Sequence, residues 1–149
     1  MGTPAFIHLP VKDVDRSVAF FTKLGYSFNP ELSGEDAGCM IVNELLNVML
    51  LPEKFFNTFT EKTICDTAKS AEMIITVSAA SREAVYEMGR NVIKAGGILP
   101  TPKLDTGWMY SQGFQDLDGH LWDVLYMDVE AVPENAHVAK LQWELRRTI

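Results

Sequence analysis

Two stretches of this chain, laid over each other, constrain its fold more than any single motif. VKDVDRSVAFF, which begins at Val11, and VSAASREAVYE, which begins at Val77, align without a gap, placing Arg16 against Arg82 and Phe20 against Tyr86. The same order of elements surrounds both. In the first half, residues 6–11 have a strand pattern, with Ile7, Leu9 and Val11 on one face and Phe6, His8 and Pro10 on the other. Pro10 offers no N–H, which suits an edge strand. Asp13 reads as the N-cap of a helix running to about Leu24, with Val14, Val18, Phe21 and Leu24 along one side and Gly25 as its stop. Strands are then expected at 26–32, 38–43 and 46–51, divided by Gly34-Glu35-Asp36 and Asn43-Glu44.

The second half repeats this order. Residues 73–77 read as a strand with Met73, Ile75 and Val77 on one face, and Ser81 caps a helix whose stripe is Ala84, Val85, Met88 and Val92. Gly96-Gly97 stops that helix, and strands are expected at 98–104, 108–115 and 121–127. Each half is therefore strand, helix and three strands, and self-similarity of this kind speaks to architecture before any single residue does. The expectation is a single α+β domain over residues 1–149, built from βαβββ units at 5–52 and 71–128. A linker at 53–70 carries one short helix. A tail at 129–149 carries an amphipathic helix with Val138, Leu141 and Leu145 as its stripe.

Composition narrows the partners. A formal charge of −7 argues against nucleic acid and anionic membranes and mildly favours neutral or cationic ligands. No apolar run approaches the roughly 20 residues that a membrane-spanning helix needs. Cys39 and Cys65 stand outside any C-x-x-C spacing, and the first residues lack a signal-peptide pattern, so free thiols in the cytoplasm are expected. G-x-S-x-G, a P-loop and a cysteine with a nearby base are all absent from the sequence.

The closing strand poses the chemical question. In FQDLDGHLWDVLYMD, residues 114–128, Asp118-Gly119 is a turn dipeptide, and the strand after it is apolar on both faces. Leu121, Asp123, Leu125 and Met127 share one face, while Trp122, Val124 and Tyr126 share the other. A carboxylate in such a setting is costly to keep ionised without a partner, a cavity or water. His120, just after the turn, is expected to be exposed, and His137 has no evident role.

The two units, with LPVKDVDRSVAFFTKLGY early and FQDLDGHLWDVLY late, resemble the vicinal oxygen chelate superfamily, which includes glyoxalase I, extradiol dioxygenases and the fosfomycin- and bleomycin-resistance proteins. The resemblance spans about residues 5–128. It implies a curved mixed sheet with a concave ligand cavity, helices on its outer face, and a homodimer. It does not imply one activity, because this fold hosts several chemistries.

Enzymes of this family bind one divalent ion through residues on the first and last strand of each unit. The matching positions here are Phe6 and Met49 in the first unit, and Glu72 and Asp123 in the second. Phe cannot coordinate an ion, and a catalytic zinc or non-haem iron normally has three protein ligands that include His. Two carboxylates with water suit magnesium or manganese instead. His8 lies two residues beyond Phe6, about 7 Å further along the same face, a large displacement for a substitute ligand. Each residue also has a plain structural reading. Glu72 begins a strand, where glutamate is usually solvated; Asp123 could be satisfied by Tyr110, Gln112 or a backbone N–H; His8 could be a hydrogen-bonded core histidine.

Two functions follow. In the first, the chain binds a small organic molecule in the sheet cavity, as bleomycin-resistance members do by sequestration. Phe6, His8, Met49, Trp108, Tyr110, Gln112 and Phe114 would then line the cavity, and Asp123 or Glu72 would hold a donor or a cation. Alternating parity leaves open whether the face of Trp108, Tyr110, Gln112 and Phe114 lines the cavity or packs beneath helices. In the second, a divalent metal ion on Glu72 and Asp123 serves a lyase, isomerase or dioxygenase, with His8 or Asp123 moving the proton. The count of metal ligands favours the first.

Overall fold

The computed structural model describes residues 2–136, so the expected tail helix and His137 lie outside the described residues. Strand β1 (Ala5–Val11) leads into helix α1 (Val14–Lys23), then β2 (Ser27–Phe28), β3 (Gly38–Ile41) and β4 (Leu46–Pro52). A four-residue helix α2 (Glu53–Phe56) opens the linker. The second unit comprises β5 (Ile74–Ser78), α3 (Arg82–Lys94), β6 (Leu104–Asp105), β7 (Met109–Gln115) and β8 (Leu121–Met127). The fold is α+β with two βαβββ units. Instead of one continuous sheet there are two of four strands each, ordered β1-β4-β3-β2 and β5-β8-β7-β6. In each, the first strand is an edge that runs parallel to the last.

The helix ends follow the sequence closely. The Asp13 carboxylate accepts from the Arg16 N–H and the Ser81 hydroxyl oxygen from the Ala84 N–H, satisfying donors that a helix N-terminus leaves free. Two expected strands are much shorter than predicted. Within 26–32 only Ser27–Phe28 pairs, because Asn29 caps a 3-10 turn that starts at Pro30. Within 98–104, Ile98 makes one isolated bridge to Gln115, and Pro100 and Pro102 have no N–H to continue the ladder.

The repeat also slips at the helices. Val11 is followed two positions later by the cap Asp13, whereas Val77 is followed four positions later by Ser81. The gapless alignment therefore fails beyond the strand. Phe20 is 1% exposed and Tyr86 is 41% exposed, so those two aromatics are not equivalents.

One apolar core runs through both units. Phe21 of α1 sits 5.2 Å from Trp122 of β8, ring centre to ring centre, and Trp122 stacks on Phe114 of β7 at 5.9 Å. Gly97 lets the end of α3 lie close against β7 and α1, since a Cβ there would lie 2.7 Å from Val92 Cγ1, 2.8 Å from the Gln115 carbonyl oxygen and 3.0 Å from Phe20 Cε2. No helix among the described residues is long and apolar enough to cross a membrane.

Candidate functional site

Burial settles which sheet faces the helices cover. In the first sheet Leu9, Val11, Met40, Val48 and Leu50 are buried in the core, and the opposite face is open at Phe6 and Ile41 while Cys39 and Leu51 on it are buried. The parallel register sets Phe6 beside Asn47 and His8 beside Met49, with Ile41 and Cys39 in the same rows. Phe6 is 48% exposed there. His8 meets Phe59 of the linker edge to face at 4.8 Å, and Phe59 in turn meets Phe55 at 5.5 Å, so linker aromatics roof one end of this open face.

In the second sheet Ile75, Phe114, Trp122 and Val124 are buried in the same core. Phe114 and Gln112 thus lie on the covered side, with Gln112 Nε2 donating to the Thr101 and Gly113 carbonyls. Tyr110 shares that side, partly buried beneath the Arg82 guanidinium at 5.5 Å. Trp108 is partly buried just before β7. Of the aromatic strand, then, Phe114 and Gln112 are core residues, as one of the two parities had allowed.

Asp123 lies on the other side. Its row is Thr76, Asp123 and Gly113 across β5, β8 and β7, and Gly113 brings no side chain beside the carboxylate. The residue is partly buried, and desolvation pushes its carboxyl above the ordinary aspartate range. No hydrogen bond or ion pair to its carboxylate occurs among the described residues. Ile74, one row away, is 61% exposed. The open face therefore carries a desolvated, unpartnered acid next to uncovered apolar surface.

Glu72 precedes β5 and is exposed. It lines a cavity of about 430 Å³ between the two units, which His8 also lines and Asp123 does not. Phe6 and Met49 supply a phenyl ring and a thioether at the other two family positions. Among the described residues no three His, Cys, Asp or Glu side chains form a group able to hold a metal ion. The donors of one chain do not fit the divalent ion that the fold implies.

The turn before β8 does more than reverse the chain. Buried Asp116 accepts from the N–H groups of Asp118 and His120 through Oδ1, and from Trp122 Nε1 through Oδ2 at 3.1 Å. Burial pushes its carboxyl up, against the opposing pull of His120 and these donors. Asp118 then reaches the first unit, accepting from the Lys12 N–H at 2.9 Å and the Ser17 hydroxyl at 3.1 Å. Its carbonyl accepts from the Thr67 hydroxyl, and His120 Nε2 lies 2.6 Å from the Pro10 carbonyl oxygen. His120 is thus partly buried and bonded rather than exposed. The sequence hint was the density of polar groups in QDLDGH, more than a two-residue turn requires.

The bleomycin resistance protein-like N-terminal family matches residues 5–43, which reach from β1 to just past β3. No protein of curated function matches the chain. Among solved structures, a hypothetical protein, SA1046 from S. aureus, is 24% identical with a TM-score of 0.72 over 84% of this chain and 94% of its own. A glyoxalase-related enzyme from Fulvimarina pelagi is 16% identical with a TM-score of 0.74 over 87% and 91%. The fosfomycin resistance protein FosX from Listeria monocytogenes is 20% identical with a TM-score of 0.58 over 84% and 93%. The fold is that of the vicinal oxygen chelate superfamily. At these identities the likeness extends to the fold and not to an activity. This chain departs from the metal-dependent pattern at Phe6 and Met49, half of the expected ligand positions.

Proposed function

We propose that this chain is a small-molecule-binding protein of the vicinal oxygen chelate fold, working as a homodimer without the full family metal site. The ligand lies against the open faces of the sheets, with Asp123 taking its donor or cationic group and Phe6, Met49 and Ile74 its apolar body. The observation that carries this reading is Asp123 itself. A partly buried acid whose charged form is disfavoured, and which has no partner among the described residues, is a cost to the fold that a bound donor would offset. Phe6 and Ile74, exposed on the same kind of open face, add apolar area that a partner subunit and a ligand would cover together.

A fragment library screened by saturation-transfer NMR tests this. Binders of the open face should lose at least tenfold in affinity in Asp123→Asn, with the fold retained. Protein purified without chelator or nickel should carry substoichiometric metal. A set of binders indifferent to Asp123→Asn would refute the reading, and so would one tightly held ion per chain that Asp123→Ala releases.

A further inference from the structure

The cavity between the units does not include Asp123, although Leu121 of the same strand face and His8 of the first sheet's open face both reach it. It measures about 430 Å³, within the roughly 300–1,000 Å³ common for small-molecule sites. Its walls come from four separate parts of the chain: β1, the linker, the approach to β5, and the turn before β8. Leu9, Ile64, Ile75 and Leu121 give it an apolar lining. Lys62 and Glu72, both exposed, bring one charge of each sign to it. Neither forms an ion pair among the described residues, where the pairs are Lys69 with Asp66 and Arg82 with Asp105.

This chemistry discriminates between ligand classes. A simple organic cation would satisfy Glu72 but meet Lys62, and a simple anion would do the reverse in a chain of net charge −7. A molecule with both charges and an apolar body suits all three features. We propose that this cavity is a second ligand site, taking a small zwitterion of the α-amino-acid type with an apolar side chain. The ammonium pairs with Glu72, the carboxylate with Lys62, and the side chain packs against Ile64, Ile75 and Leu121.

Cys65 provides a direct readout. It is exposed and lines the cavity, whereas the other thiol, Cys39, is fully buried, so an alkylating reagent reports on Cys65 alone. L-Leucine and L-phenylalanine at millimolar concentration should slow Cys65 alkylation at least threefold. Isocaproate, which lacks the ammonium, and isoamylamine, which lacks the carboxylate, should not protect. Glu72→Gln and Lys62→Gln, both at exposed positions, should each abolish protection, judged against the ligand-free alkylation rate of the same variant. Amide shifts on adding L-leucine should fall on Thr63, Ile64 and Met73, and remain in Asp123→Asn. The proposal fails if neither amino acid protects, if isoamylamine protects as well as leucine, or if the shifts fall instead on Thr76 and Gly113. The last result would leave the open-face reading intact.

Discussion

Asp118→Ala removes one of the side chains that join the two units, and its cost can be worked out bond by bond. The Lys12 N–H is exposed, so water replaces the lost carboxylate and the net change there is small. The Ser17 hydroxyl differs, because Ser17 is 2% exposed and its donor would lose the carboxylate that satisfies it. A hydrogen bond to a charged group contributes about 1.5–3 kcal/mol, and an unsatisfied buried donor costs about 1–3 kcal/mol. Together these place the loss at about 2–3 kcal/mol, or about 5–10 °C in Tm for a chain of this size. Urea unfolding followed by tryptophan fluorescence measures it, since Trp122 lies in the core beside the turn. The midpoint should fall with an unchanged slope, the sign of altered stability rather than an altered unfolded state. Asp118→Asn keeps an acceptor oxygen and should lose less than half as much. Asp36→Ala, in an exposed turn with no bond to its side chain, should stay within about 0.5 kcal/mol. A loss below about 0.5 kcal/mol in Asp118→Ala would refute the argument that this carboxylate holds the units together.

Gly97→Ala should destabilise by about 1–3 kcal/mol in thermal melts, because the new Cβ meets the Gln115 carbonyl oxygen at 2.8 Å and backbone cannot yield cheaply. For Asp123 the raised carboxyl means that the folded state favours the protonated form, so its contribution is full at low pH and lost as pH rises through the folded pKa. Asp123→Asn should therefore be more stable than the parent at pH 7, by under about 1 kcal/mol. That gain should shrink as pH falls toward about 4, the ordinary carboxylate range, and a destabilised variant at pH 7 would contradict it. Sedimentation velocity at micromolar concentration should give about twice the 16.7 kDa chain mass, and a monomer would count against a site shared between subunits.

Much of the fold was legible because its signals are local. Asp13 and Ser81 lie where a side-chain oxygen can reach the free N–H groups of a helix start, and the alternation in 6–11 has one buried parity, that of Leu9 and Val11. The shortened strands were misread because alternation says nothing about ladder donors. Pro30, Pro100 and Pro102 interrupt pairing wherever their neighbours' side chains point. The repeat misled at the helices for a related reason. Two extra residues before Ser81 shift the start of α3 against that of α1 without disturbing either amphipathic stripe, so a gapless alignment still looked self-consistent.

The candidate site was legible only where a residue broke a pattern. Asp123 could be picked out because it interrupts an apolar face, and burial leaves that carboxylate desolvated and without a partner among the described residues. The aromatic strand had no such break. Tyr110, Gln112 and Phe114 suit a cavity or a core equally well in sequence, and it is the packing of α3 against β7 that assigns Gln112 and Phe114 to the core. The inter-unit turn was hidden more thoroughly, since Asp118-Gly119 explains a reversal completely and gives no cue that the carboxylate bonds a residue 101 positions away. The junction cavity was beyond reach for the same reason. Lys62, Glu72 and Leu121 become neighbours only when Asp118, His120 and Thr67 have fixed one unit against the other. Stability and binding at the junction are therefore coupled. A variant that loosens the Asp118 turn should weaken the cavity even though Asp118 donates nothing to a ligand there.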